Sequence, residues 1–153
     1  MMLLQGKMEP QSRWKIGIVT SRFNHEITER LEGGCYERLL ELGLKPEQIT
    51  RVRVPGAVEI PLAAAHMLDR AYDGVIALGA VIQGDTKHFD YVCNSVERGC
   101  TELMLKSKKP VIFGVLTTND EKQAEERVGG SHGHKGRDAA DTLVEMLNLV
   151  DSI

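Results

Sequence analysis

Apolar positions along this chain follow two alternating spacings. Lys15 to Thr20, K-I-G-I-V-T, is a short β-branched run that predicts a first strand, and Ser21-Arg22-Phe23-Asn24 breaks it. Ile27, Leu31, Cys35, Leu39 and Leu42 then recur at helical spacing, with Gly43 closing the helix and 44–50 linking onward. Gly33-Gly34 inside it would cost about 1 kcal/mol each against alanine, so a close helix contact is expected there. Arg51 to Val54 alternates as a second strand until Pro55-Gly56 stops it. Val58 to Leu68 predicts a helix that tolerates Pro61 only in its first turn.

The third unit is the most informative. Val75 to Leu78 is a continuous apolar run, as a strand buried on both faces requires. Gly79 and Gly84 are expected to bracket a turn, and Asp85 or Thr86 offers an oxygen to cap the next helix. That helix carries the stripe Phe89, Val92, Cys93, Val96, Cys100, Leu103 and Met104, with His88 in its first turn. Pro110 precedes a fourth strand, V-I-F-G-V-L, ending at Thr117-Thr118, after which Asn119 is the expected cap of a short helix through Arg127. A glycine-rich link, 129–136, leads to a last helix striped by Ala139, Leu143, Met146, Leu147 and Val150.

Strands alternating with helices predict right-handed crossovers onto a parallel sheet. The expected fold is α/β: a three-layer αβα sandwich with a four-stranded parallel sheet, flavodoxin-like. Residues 1–13 show no periodicity and are expected to form an N-terminal arm; 14–153 make one domain.

Composition narrows the function. A net charge of −3 and 5% aromatic content give neither a basic footprint nor a base-stacking surface, so neither nucleic acid nor a membrane is an expected partner. No apolar run approaches the roughly 20 residues of a membrane span, and the first residues lack the charged leader of a signal peptide. Cys35, Cys93 and Cys100, odd in number and all on helical patterns, are expected to be reduced thiols of a cytoplasmic protein. His132 and His134 have no carboxylate or cysteine at a supporting spacing, so no metal site is expected.

In a parallel sheet the carboxyl ends of all four strands converge on one rim. That brings together Phe23-Asn24, Pro55 to Glu59, Ala80 to His88 and Leu116 to Thr118. The set offers an aromatic face, an amide, a carboxylate, a histidine and glycine-freed N–H groups, which suits a flat polar heterocycle. Gly84-Asp85-Thr86 ahead of a helix is a plausible anion cradle, provided the Asp85 side chain turns outward. There is no G-x-G-x-x-G after the first strand, which argues against a dinucleotide site, and 129–136 lacks the ending of a phosphate-binding P-loop. His88 is a candidate proton carrier near neutral pH, against the plainer reading of an exposed helix-start residue. Arg127 by itself reads as a partner for a helix C-terminus, and Glu59 as a first-turn carboxylate with a nearly equal claim to a site role.

Six segments in this order resemble one family, the 6,7-dimethyl-8-ribityllumazine synthases. They are S-R-F-N (21–24), V-P-G-A-V-E-I-P (54–61), G-A-V-I-Q-G-D-T-K-H-F-D-Y-V (79–92), P-V-I-F-G-V-L-T-T (110–118), Q-A-x-x-R (123–127) and H-K-G-R-D-A-A (134–140). The resemblance implies a cofactor-independent condensation of 5-amino-6-(D-ribitylamino)uracil with 3,4-dihydroxy-2-butanone 4-phosphate, the penultimate step of riboflavin biosynthesis. It implies that Phe23 stacks on the pyrimidine, with Asn24 and the backbone of Ala80, Val81 and Ile82 along its polar edge. Ala57, Val58 and Glu59 would hold the ribityl chain, and Asp85 and Thr86 (through their backbone) together with Arg127 the phosphate. His88 would move protons, with Lys135 in support. Phe113 and Arg127 would come from the neighbouring subunit of a homopentamer. The absence of an insertion in 129–136 favours a 60-subunit icosahedral shell of pentamers, and riboflavin synthase is a further candidate partner. Departures from the family pattern are His134 in place of the usual asparagine, Ser131-His132 in place of lysine-alanine, the added charge of Asp85, and Val58 where an aromatic is frequent. Two other classes compete: a non-catalytic flavin- or lumazine-binding protein, which would need neither His88 nor Arg127, and an inactive shell protein.

Overall fold

The computed structural model describes all of residues 1–153. Its elements are β1 (Ile16–Ser21), α1 (His25–Leu42), β2 (Ile49–Val54), α2 (Ile60–Leu68), β3 (Gly74–Ile82), α3 (His88–Ser107), β4 (Val111–Thr118), α4 (Glu121–Glu126), β5 (Val128–Gly130), β6 (Gly133–His134) and α5 (Lys135–Ser152). Short 3₁₀ turns at Pro46–Gln48 and Ala57–Glu59 lead into β2 and α2. The main sheet is parallel throughout, in the order β2-β1-β3-β4.

The unbroken apolar run of β3 is explained by the layers on its two faces. Ile76, Leu78 and Ala80 pack with α1 and α5 residues such as Leu31, Leu39, Leu143 and Val144. Val75 and Ala77 point the other way, into a second core with Ile60 and Ala64 of α2 and Val96 and Cys100 of α3. A central strand covered on both sides needs apolar residues at every position, which is the expected three-layer sandwich. The cysteines are free; burial pushes the thiols of Cys35 and Cys100 up, that of Cys100 to about 11, and Cys93 is half-buried.

Several local expectations need correction. Gly79 does not open a turn but lies inside β3, which stays paired with β4 as far as Ile82 opposite Thr118. The space for a Cβ there is taken by the Ser21 hydroxyl, 2.8 Å away. β2 begins two residues earlier than the alternation indicates, because Ile49 and Thr50 pair with Ile16 and Gly17. α4 is capped by Asp120, not Asn119: the Asp120 carboxylate accepts the Gln123 N–H at 2.8 Å, while the Gln123 side chain accepts the Asn119 N–H at 2.8 Å. In α5 the buried stripe drifts through Ala140 and Val144, leaving Val150 exposed. The glycine-rich link, read as a loop, is the two-stranded β5-β6 hairpin.

Of the two helix glycines, only Gly34 marks a close contact: a Cβ there would lie 2.2 Å from the His134 ring, whereas Gly33 faces open space. Residues 1–13 form no regular element but run along α5. The Asn148 amide donates to the carbonyls of Lys7 and Glu9 at 2.7 and 3.0 Å, and Gln11 donates to the side chains of Asn148 and Asp151.

Candidate active site

A cleft of about 600 Å³ opens at the carboxyl ends of β1, β2 and β3, against the start of α3. This is the topological switch point of the sheet, where neighbouring strands continue to helices on opposite faces and leave a gap between them. Phe23, Asn24, Ala57, Val58, Glu59, Ala80, Val81, Ile82, Gly84, Thr86 and His88 all line it.

Asn24 takes a left-handed conformation (φ 61°), which asparagine tolerates better than most residues, and so turns the chain from β1 into α1. The backbone of Arg22 and Phe23 is fastened to the end of β2 by hydrogen bonds to the Val54 and Pro55 carbonyls, at 2.8 and 3.1 Å. Phe23 thereby holds its ring out at 72% exposure. The Asn24 amide donates to the Ala80 carbonyl at 2.9 Å, locking the β1 and β3 ends together and leaving its own carbonyl oxygen free. Glu59 accepts the Gly56 N–H through Oε2 at 2.9 Å; its Oε1 remains available to a hydroxyl.

At the other end of the cleft, Gln83 N–H is held by the Thr118 carbonyl at 2.9 Å, which sets the start of the 83–87 turn. The N–H groups of Gly84, Asp85 and Thr86 donate to no protein acceptor and sit ahead of the 20-residue α3, whose dipole favours an anion there. The Thr86 hydroxyl accepts the His88 N–H at 3.3 Å, fixing the histidine at the helix start. Asp85 is exposed and does not line the cleft. Phe89 and Val92, assigned from sequence only to the α3 packing stripe, also line the cleft; their spacing of one and four residues from His88 was the available signal.

Arg127 and Phe113 are elsewhere. They line a second groove of about 640 Å³ along the open edge of β4, between α3 and α5, with Lys135, Thr117 and Thr118. The two depressions share no lining residue. Arg127 caps the C-terminal end of α4; one guanidinium nitrogen donates to the Gln123 carbonyl at 2.9 Å and lies 3.9 Å from the Glu126 carboxylate, with no other side-chain partner. Phe113 is 42% exposed on a strand that pairs on one side only. The cleft therefore has an anion cradle without a cation, since none of its lining residues is lysine or arginine, and the groove has cations without a cradle.

The family model for 6,7-dimethyl-8-ribityllumazine synthase matches residues 13–151. A protein of that description from Bdellovibrio bacteriovorus is 53% identical over 139 residues, 91% of this chain and 76% of its own. Those from Coxiella burnetii and Helicobacter pylori are 48% and 46% identical, covering 94% and 100% of this chain and 95% and 99% of their own. No helix is long and apolar enough to cross a membrane. The chain belongs to the 6,7-dimethyl-8-ribityllumazine synthase family, transferases of riboflavin biosynthesis.

Proposed function

We propose that the cleft and the groove are two halves of one site, completed when the groove of a neighbouring subunit faces the cleft. The observation that carries this reading is the division of charge: a phosphate substrate needs both the N–H cradle at 84–86 and a cation, and one chain holds them in separate depressions. The substrates are 5-amino-6-(D-ribitylamino)uracil and 3,4-dihydroxy-2-butanone 4-phosphate. Phe23 stacks on the pyrimidine, whose polar edge meets the free Asn24 carbonyl and the backbone at Ala80, Val81 and Ile82. Ala57, Val58 and the free Oε1 of Glu59 take the ribityl chain. Phe113 of the neighbouring subunit closes over the ring.

The chemistry asks for proton movement and charge stabilisation. The 5-amino group attacks the ketone, and loss of water gives an imine. Loss of the proton from the hydroxyl-bearing carbon with departure of phosphate from its neighbour leaves an enol, which takes up a proton at the terminal carbon to become a new ketone. The ribitylamino nitrogen then closes on it with loss of a second water. His88 takes the proton from the attacking amine and returns it to the departing oxygen. The backbone of Asp85 and Thr86, with Arg127 and with Lys135 in support, holds the phosphate charge as it grows on departure. Holding two small reactants together supplies much of the remaining rate. No external electron carrier is needed: the hydroxyl-bearing carbon is oxidised to the ketone level as the phosphate-bearing carbon is reduced to a methyl, so the reaction is redox-neutral overall.

This reading makes the protein a homo-oligomer, with a pentameric ring as the unit. The tight β5-β6 hairpin, with no insertion in 129–136, favours stacking of pentamers into a 60-subunit icosahedral shell, and riboflavin synthase, which consumes the product, is the candidate guest. The three free thiols accord with a cytoplasmic location. Mixing both substrates with the purified protein and following the absorbance of the lumazine tests the activity; a rate no higher than the spontaneous one refutes it. Sedimentation distinguishes a pentamer from a shell.

A further inference from the structure

The segment that carries Arg127 and Lys135 is pinned by a histidine to which the reaction gives no part. His134 precedes α5, and its Nδ1 accepts the Arg137 backbone N–H at 3.3 Å, capping the helix. A nitrogen that accepts carries no proton, so the capping ring is neutral and holds its hydrogen on Nε2. The ring is wedged between two helices. A Cβ on Gly34 of α1 would lie 2.2 Å from its Cε1, and one on Gly136 of α5 would lie 3.0 Å from the same atom. The hairpin covers a third side, with Gly129 near its Cδ2.

Backbone ties run from this ring to the groove. His134 pairs with Val128 across the hairpin, and the adjacent Lys135 N–H donates to the Arg127 carbonyl at 2.9 Å. The Arg30 guanidinium, from α1, donates to the Val128 carbonyl at 3.0 Å. Arg127 and Lys135 are thus the two residues whose backbones meet immediately beside the His134 anchor.

We propose that His134 is a positioning residue for the phosphate-binding cations, and that its protonation releases them. A proton on Nδ1 turns the cap acceptor into a second donor facing the Arg137 N–H. The start of α5 and the hairpin then loosen, and Arg127 and Lys135 lose their common anchor. The inference rests on the reading of Arg127 as a phosphate ligand.

The surroundings work against the charged ring. The charged groups around it are cations, Arg30 on α1 and Arg137 on α5; the hairpin packs uncharged Val128 and Gly129 against it, and its other titratable group, His132, is turned to Glu126. The nearby acids are engaged: Glu41 with Arg137 and Arg38, and Glu126 with Arg127 at 3.9 Å and the His132 ring at 3.4 Å. Burial, and after it the Arg137 charge, lower the ring's pKa; the Arg30 and His134 carbonyls offset part of this. The release therefore comes at a pH below the ordinary imidazole range.

The test compares the unaltered protein with His134→Asn, which keeps a capping acceptor but cannot titrate. KM for the phosphate substrate and kcat are measured from about pH 8 to about pH 5.5, with the Arg127→Ala variant alongside. The substrate's own ionisation affects all forms alike, so the difference between profiles is what counts. At the alkaline end the two proteins should share one KM. Toward acid the unaltered protein's KM should rise about fivefold more than that of His134→Asn, the factor a lost helix cap is worth, with parallel kcat profiles. Parallel KM profiles, with Arg127→Ala still raising KM, overturn the latch and leave the site reading standing. An Arg127→Ala variant with unchanged KM overturns both. Should His134→Asn fail to assemble, amide hydrogen exchange over 127–137 in the unaltered protein decides. Exchange corrected for its intrinsic pH dependence must be faster in acid, and equal protection overturns the inference.

Discussion

If the cleft and the groove complete each other across a subunit boundary, two inactive chains should make an active assembly. The perturbation is a pair of variants. His88→Ala damages the cleft and leaves the groove intact; Arg127→Ala does the reverse, since the two share no lining residue. Removing a positioned proton carrier should slow turnover by about a hundredfold or more. Removing the guanidinium fork removes a charge-assisted contact of about 1.5–3 kcal/mol, which raises KM for the phosphate substrate by roughly ten- to a hundredfold. Each variant is therefore nearly silent when that substrate is well below the Arg127→Ala KM.

Co-expressed in equal amounts, the chains should mix at random around a ring. A site takes its cleft from one subunit and its groove from the next. It is intact when the first is Arg127→Ala and the second His88→Ala, which happens for about one site in four whatever the number of subunits. The assay is initial lumazine formation at low phosphate substrate, with the parents and their post-assembly mixture as controls. Recovery near a quarter of wild-type activity is expected in the co-assembled sample only. Activity no greater than the mean of the two parents would refute the division of the site between chains, because a site contained in one subunit has one defect in every copy.

Three other perturbations follow from the structure. Phe23→Ala removes the exposed stacking face at the cleft mouth and should raise KM for the pyrimidine by about 1–3 kcal/mol in equivalent binding, with the phosphate substrate's KM little changed; steady-state kinetics with each substrate varied in turn checks this. Ala71 holds φ at 62° just past α2, so Ala71→Gly relieves about 1–2 kcal/mol of left-handed strain against about 0.5–1 of added unfolded-state entropy. A higher denaturant midpoint is expected, and a lower one would refute the strain. The folded pKa of His134 lies below the ordinary 6.5, mainly through burial, so the fold favours the neutral ring. Its contribution to stability is complete above pH 6.5 and is lost as pH falls through the folded value. Unfolding curves of the unaltered protein and His134→Asn should therefore diverge below pH 6.5 and run parallel above it.

The strand ends were legible because periodicity and parallel topology together dictate them. Phe23, Glu59, Ala80 and His88 are far apart in sequence, yet each follows a recognisable strand, and strands of one direction must end on one rim. Where reading failed, tertiary context had replaced local pattern. Gly79 looks like a turn residue, but pairing with β4 keeps it in the strand, and the Ser21 hydroxyl fills the space a side chain would need. The β5-β6 hairpin has no alternating apolar positions to announce it. It forms because His134 is anchored on α1, a contact that Gly34 hinted at from the middle of a helix a hundred residues earlier. Asp120 won the cap from Asn119 because the fit of an N-cap depends on where the Gln123 amide lies, which composition does not reveal.

The strand order itself explains why one chain should hold only half of a site. Crossovers place β1 and β3 in the centre, so the switch-point cleft is built from β1, β2 and β3. β4 is left at an edge with unpaired backbone, and α4 and the hairpin that follow it are tied down beside that edge. Arg127 is held there by three constraints: its side chain on Gln123, its carbonyl on Lys135, and the hairpin on α1 through His134 and Arg30. Turning the guanidinium away from the groove would break its bond to the Gln123 carbonyl, and no lysine or arginine lines the cleft. Under the proposed function, association is then a catalytic requirement: specific activity should fall with dilution at the concentration where the assembly dissociates, and the loss should appear chiefly in binding of the phosphate substrate.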